Sequence, residues 1–157
     1  MKKIWHVGMA VPDLDKGMAE IGKLLDLAWR PVVTRSMTIT DENGRLHPVD
    51  CHVTFSLGGP FAVEVWQAIP GTPLAVPESG YLHHLGYWVE DYAEEKERLF
   101  ALGYPPFLSS GPALLISRGP GNVLLEPCDL RRDQPYLRDL YPADSPFAGE
   151  PVLPSAS

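Results

Sequence analysis

Two cysteines in 157 residues are too few for a disulfide framework, and Cys51 and Cys128 stand too far apart for a CxxC site. Basic charge is also scarce. Thirteen lysines and arginines face twenty aspartates and glutamates, a formal net charge of −7. Phosphate backbones need clustered cations, so no nucleic-acid partner is expected. No apolar run approaches the roughly 20 residues of a membrane-spanning helix, so no membrane partner is expected either. The two leading lysines precede a short apolar run broken by His6 and Pro12, which is not the pattern of a signal peptide. These absences together favour a reduced, cytoplasmic setting. What is present is ordinary for a globular chain: 45% hydrophobic and 21% charged residues, with enough length to bury a real core.

The less ordinary feature is a repeat. "HVGMAVPD" (6–13) and "HLGYWVED" (84–91) both obey H-[V/L]-G-x-x-V-x-D, with His84 lying 78 positions after His6. A helix pattern follows each copy. Asp13 is placed to cap the first, with Leu14, Met18, Ile21 and Leu25 on one face. Asp91 caps the second with Glu94 three residues on, and Tyr92, Leu99 and Leu102 supply its apolar face. Strand-like runs come next: 34–40, 51–57 and 61–67 in the first half, then one near Phe107, 113–117 and 122–126 in the second. Each half therefore reads βαβββ and ends on a strand carrying a glutamate, Glu64 or Glu126. The predicted organisation is a first module over 1–76, a second over 77–130 and a Pro-rich tail over 131–157. Residues 70–80 read as a linker. The tail is expected to wrap the surface or be disordered, with no chemistry of its own. Glu64 follows His6 by 58 residues and Glu126 follows His84 by 42, and the surplus falls in the polar stretch "TRSMTITDENGRLHPVD". That stretch is expected to form a substrate-facing loop or lid.

Alternation along strands assigns the faces. His6 shares one with Ile4, Gly8 and Ala10, while Trp5, Val7, Met9 and Val11 should pack on helices. His84 goes with Gly86 and Trp88, and Glu64 with Ala62 and Trp66. A glutamate in the middle of an apolar strand is costly to bury unless a cation pairs with it. Two histidines and two glutamates at matching places in matching modules would supply a site for one divalent ion, of the Zn, Ni, Co, Mn or Fe(II) kind. Such a site polarises a carbonyl, stabilises an enolate and makes the adjacent C–H acidic enough for a carboxylate base.

These residues resemble the vicinal oxygen chelate superfamily, which includes glyoxalase I, methylmalonyl-CoA epimerase, extradiol dioxygenases and the fosfomycin- and bleomycin-resistance proteins. The resemblance covers residues 4 to about 127. It is carried by "HVGMAVPDLDKGMAEIGKLLDL", "FAVEVWQAIPGTP", "LHHLGYWVEDYAEEKERLFALGY" and "GNVLLEP". It implies an α+β fold in which paired βαβββ modules form an open, U-shaped barrel around a metal, and often a homodimer. The family's metal ligands carry over to His6, Glu64, His84 and Glu126. His83 competes with His84, but His84 holds the position equivalent to His6, so His83 is expected to face the other side as a structural or rim residue.

The complete ligand set is unlike the bleomycin-resistance class, which binds ligand without metal, and a ligand at Glu64 is unlike the extradiol dioxygenases. The set resembles glyoxalase I and the epimerase-related branch. The expected function is proton transfer next to a carbonyl through a metal-stabilised enolate, on a small carbonyl or thioester substrate, by an epimerase, isomerase or glyoxalase-like lyase. Glu64 or Glu126 is then the catalytic base. A non-catalytic sequestration protein and an Fe(II) dioxygenase are the alternatives. Trp66 and Trp88 are candidate pocket walls. Cys128 is expected to be a buried, inert thiol, and Arg45 and His47 to lie in a solvated loop.

Overall fold

A computed structural model describes residues 2–112 and 114–155. The first half gives β1 (Ile4–Val11), α1 (Leu14–Leu25), β2 (Val33–Asp41), β3 (Leu46–Phe55) and β4 (Ala62–Gln67). The second gives β5 (Leu82–Val89), α2 (Tyr92–Ala101), β6 (Pro106–Ser110), β7 (Leu114–Arg118) and β8 (Leu124–Asp129). This is the expected α+β arrangement of two βαβββ units. Ala113, expected to open a strand, lies outside the described residues. The strand expected from Asn122 begins at Leu124, because Gly121 and Asn122 both take left-handed backbone angles in a short 3-10 turn.

Both helices start at the aspartates the sequence marks. The Asp13 carboxylate accepts from the Lys16 N–H and that of Asp91 from the Glu94 N–H. Leu14, Met18 and Ile21 pack α1 on Val11, Val63 and Val65. Leu99 is buried under α2, whereas Leu25 and Leu102, at the helix ends, are exposed.

The eight strands form one ring in the order β1-β4-β3-β2-β6-β7-β8-β5. Its symmetric centre is the antiparallel β1–β5 pair, flanked by parallel β4 and β8. On the far side, among the described residues, the U is bridged by two register pairs, Thr40↔Ser109 and Asp41↔Leu108. The polar insertion is wall rather than lid. Residues 33–40 of β2 pair continuously with 46–53 of β3. In consequence His47 is not solvated. It is buried and hydrogen-bonded to Asp41 (2.9 Å), while Arg45 is exposed beside the turn.

Three further departures follow from tertiary packing. Trp5 faces the barrel interior instead of a helix, stacked on Trp88 with ring centroids 4.5 Å apart. The cause is a bulge: β1 pairs Ile4 with Tyr87 and His6 with Gly86, leaving Trp5 as an extra residue that shifts the alternation and sends Ile4 to solvent. The 70–80 segment is more than a linker, since Leu74 is buried in the core. The tail likewise enters the core. Leu137, Leu140 and Tyr141 are buried, and Tyr141 packs on Trp88. Asp139 makes two 2.8 Å hydrogen bonds with the fully buried Arg30 guanidinium. A Pro-rich composition hid three large apolar side chains with a barrel end to fill.

Candidate metal centre

Strand register assembles the four ligand candidates in two rows across β4, β1, β5 and β8. One row runs Glu64, Gly8, His84; the other runs His6, Gly86, Glu126. Each histidine thus lies across a glycine from the glutamate of the other module. One ligand atom from each residue lies within 4.8 Å of the others. His6 Nε2 is 2.9 Å from His84 Nε2, 3.1 Å from Glu126 Oε2 and 3.6 Å from Glu64 Oε2. His84 Nε2 is 2.9 Å from Glu126 Oε2 and 3.3 Å from Glu64 Oε2.

Those spacings suit a shared divalent ion. Neighbouring ligands at about 2.1 Å from a metal are roughly 3.0 Å apart in an octahedron and roughly 3.4 Å apart in a tetrahedron. Two imidazole lone pairs at 2.9 Å also repel unless a proton or a cation stands between them. The donor set therefore fits one borderline divalent ion, which His6, Glu64, His84 and Glu126 could hold together.

The glycines of the repeated motif make the approach possible. A β-carbon on Gly8 would lie 2.2 Å from the His84 ring, and one on Gly86 would lie 1.8 Å from the His6 ring. Each module's glycine thus makes room for the other module's histidine.

The electrostatics are those of buried groups in close contact. Burial alone would lower the His84 pKa, but its hydrogen bonds to the Glu126 and Glu64 carboxylates and their charges outweigh it and raise it to about 9. Burial pushes the Glu126 carboxyl up, yet His6 and His84 together hold it well below the usual carboxylate range. Both thiols are raised by burial, Cys51 to about 12 and Cys128 well above its ordinary value, and Cys128 is buried as expected.

Residues 5–115 match the model of the glyoxalase/bleomycin resistance protein/dioxygenase superfamily. The chain belongs to that superfamily. Its barrel resembles a hypothetical protein, BH1468, from Bacillus halodurans C-125 (17% identity, 85% of this chain and 96% of that one, TM-score 0.56). It also resembles methylmalonyl-CoA epimerase from Mycobacterium tuberculosis (16%, 80% and 86%, 0.53). A mutant 4-hydroxymandelate synthase from Streptomyces coelicolor is similar too (18%, 90% and 38%, 0.56). At these identities the likeness speaks for the fold. No curated protein matches the chain in sequence.

Around the centre, this superfamily member places several groups that sequence reading put elsewhere or passed over. His83 is turned inward, against expectation, because β5 carries its own bulge: Gly8 pairs with His84 but Met9 with Leu82, leaving His83 as the extra residue. It is buried, with Nδ1 3.1 Å from His84 Nδ1 and Nε2 2.9 Å from the Pro73 carbonyl oxygen. Burial, with the neighbouring His84 charge, lowers its pKa to about 4. Trp66 stacks on His84 and donates its indole N–H to the Leu74 carbonyl. Trp88 lies further back, between Trp5 and Tyr141.

A cavity of about 380 Å³ reaches Glu126 from outside, where the β7–β8 ladder has ended at Ser117↔Leu125. Met37, Leu114 and Cys128 wall it, and Arg35 and Arg132 stand at it. Register puts Arg35 opposite the buried Cys51, hence on the inner face of the barrel. Asp129 and Asp133 also line the cavity but are paired with Arg131 and Arg138. Among the described residues neither Arg35 nor Arg132 has a side-chain ion pair. The signal for Arg35 was present in its alternation with Val33 and Met37. Arg132 lies in the tail and gave none.

Proposed function

We propose that the chain is a divalent-metal enzyme that moves a proton next to a carbonyl, as an epimerase, isomerase or glyoxalase-like lyase does. The observation that carries this reading is the meeting of His6, Glu64, His84 and Glu126 within 4.8 Å of one another, with Glu126 also lining a cavity. A bound divalent ion would polarise a substrate carbonyl and make the neighbouring C–H more acidic. Glu126, whose residue lines the cavity, takes the proton, and Glu64, reaching the centre from β4, returns it in the epimerase case. The two indoles act from behind: Trp66 fixes the plane of His84, and Trp88 holds the apolar floor under Trp5. Arg35 and Arg132 favour an anionic substrate, since a guanidinium binds a carboxylate by two parallel hydrogen bonds. A small carbonyl compound or thioester bearing a carboxylate fits the cavity chemistry, and methylmalonyl-CoA, bound by one structural neighbour, is a suitable first probe.

The test is elemental analysis of the purified chain followed by incubation with the probe in D₂O. About one divalent ion per chain, with deuterium entering the α-carbon in wild type but not in Glu126→Gln, is the expected result. Absence of metal after loading with Zn, Ni, Co, Mn and Fe(II) in turn would sink the enzyme reading in favour of a sequestration protein. Oxygen uptake with the Fe(II) form and no deuterium exchange would favour the dioxygenase.

A further inference from the structure

We propose that His83 is a positioning residue that fixes the tautomer of His84, so that His84 presents an unprotonated Nε2 to the metal centre. The proposal rests on the metal-centre reading above. It follows from which atoms are able to donate. A carbonyl oxygen only accepts, so the 2.9 Å contact with Pro73 places a proton on His83 Nε2. His83 Nδ1 faces His84 Nδ1 at 3.1 Å, and only one of these two nitrogens carries the hydrogen between them. Were it His83, its ring would carry protons on both nitrogens. That cation would be buried at 6% exposure with no carboxylate paired to it among the described residues. An uncompensated buried charge is the costlier arrangement. His84 therefore donates through Nδ1, and its Nε2, the atom that meets His6, Glu64 and Glu126, is the nitrogen whose lone pair a metal would take in place of a proton.

The rest of the local structure serves this contact. The β5 bulge turns His83 inward, the Trp66 ring stands edge-on to it at 4.9 Å, and Phe107 closes its other side at 6.0 Å. The two modules differ here. The counterpart of His83, by the same spacing that relates His84 to His6, is Trp5, which also sits at a bulge and packs against its histidine at 4.1 Å. Trp5 offers no acceptor, and His6 Nδ1 is buried without a hydrogen-bond partner among the described residues. The pseudo-symmetric centre thus has one imidazole whose Nδ1 is tied through His83 to the Pro73 carbonyl, and one whose Nδ1 has no such tie among the described residues. Partners of this kind beyond the ligands are worth about 10- to 100-fold in metal affinity.

The experiment is a chelator-competition titration of the full chain with Co(II), read by the visible spectrum, alongside ¹⁵N imidazole NMR of the Zn(II)-loaded protein. His83→Phe keeps a ring but has no acceptor; His83→Asn keeps an acceptor near the Nδ1 position. The expected result is about a 10- to 100-fold loss of Co(II) affinity in His83→Phe and recovery of most of it in His83→Asn. Wild type should show His84 protonated on Nδ1 and His83 protonated on Nε2. Equal affinity in His83→Phe and wild type, or an equal loss in both variants, overturns the positioning role while leaving the metal centre standing. A wild-type His83 protonated on Nδ1 overturns it even where a variant fails to fold. Failure of wild type itself to bind Co(II) or Zn(II) rejects the metal centre, and the proposal with it.

Discussion

Gly86 and His6 divide a space that only one side chain can occupy: a β-carbon on Gly86 would fall 1.8 Å from the His6 Cε1 atom. Gly8 and His84 repeat the relationship at 2.2 Å. Gly86→Ala should therefore push His6 away from Glu126 and cost about 1–3 kcal/mol through overpacking. Metal affinity should fall at least about 100-fold, since one ligand leaves its place. Gly149→Ala, where the added methyl group meets open space, should stay within about 0.5 kcal/mol of wild type. Urea melts and Co(II) titrations of the three proteins check this.

Acid stability should depend on Glu95. This carboxylate, on the buried face of α2, accepts from the Tyr87 hydroxyl (2.6 Å) and pairs with Arg98 (2.8 Å) and Lys2. Burial raises its pKa, but the hydrogen bonds from Arg98, Lys2 and Tyr87 prevail and lower it to about 2. A depressed carboxylate stabilises the fold above its ordinary pKa of 4.5, and that contribution disappears as pH falls toward 2. Glu95→Gln should cost about 1.5–3 kcal/mol near neutral pH. The gap between variant and wild type should narrow between pH 4.5 and 2 in thermal melts, and a gap that widens with acid would contradict the assignment.

The tail should be indispensable to the barrel. Asp139→Ala leaves the Arg30 guanidinium buried without its carboxylate, a loss of about 3–5 kcal/mol. Leu137→Ala opens a cavity at a site with 1% exposure and should cost about 2–5 kcal/mol. Chemical denaturation would show both; changes below about 0.5 kcal/mol would return the tail to the role of a surface wrap.

Arg35 and Arg132 should act on binding rather than on chemistry. Arg35→Gln and Arg132→Gln are each expected to raise KM for a carboxylate-bearing substrate about tenfold with kcat little changed. An uncharged analogue should show no such difference. A fall in kcat at constant KM would place the arginine in the transition state instead.

The four ligand candidates were legible from residues alone because a duplicated strand must be duplicated in the sequence too. His6 and His84, Gly8 and Gly86, and Glu64 and Glu126 occupy equivalent places in two periodic modules. Asp13 and Asp91 likewise start their helices through contacts no more than three residues away. Such features are local, or are repeats of something local, so the chain's own order determines them. The facing of Trp5 and His83 is different. It depends on bulges that exist only when β1 and β5 pair, and one inserted residue reverses the inside and outside that alternation alone assigns. Burial of Leu137 and Tyr141, the Arg30–Asp139 pair and the cavity joining Arg35 to Glu126 also bring together residues distant in sequence. Their position was decided by which spaces the closed ring left to fill, a quantity that no stretch of the chain contains until the strands have met.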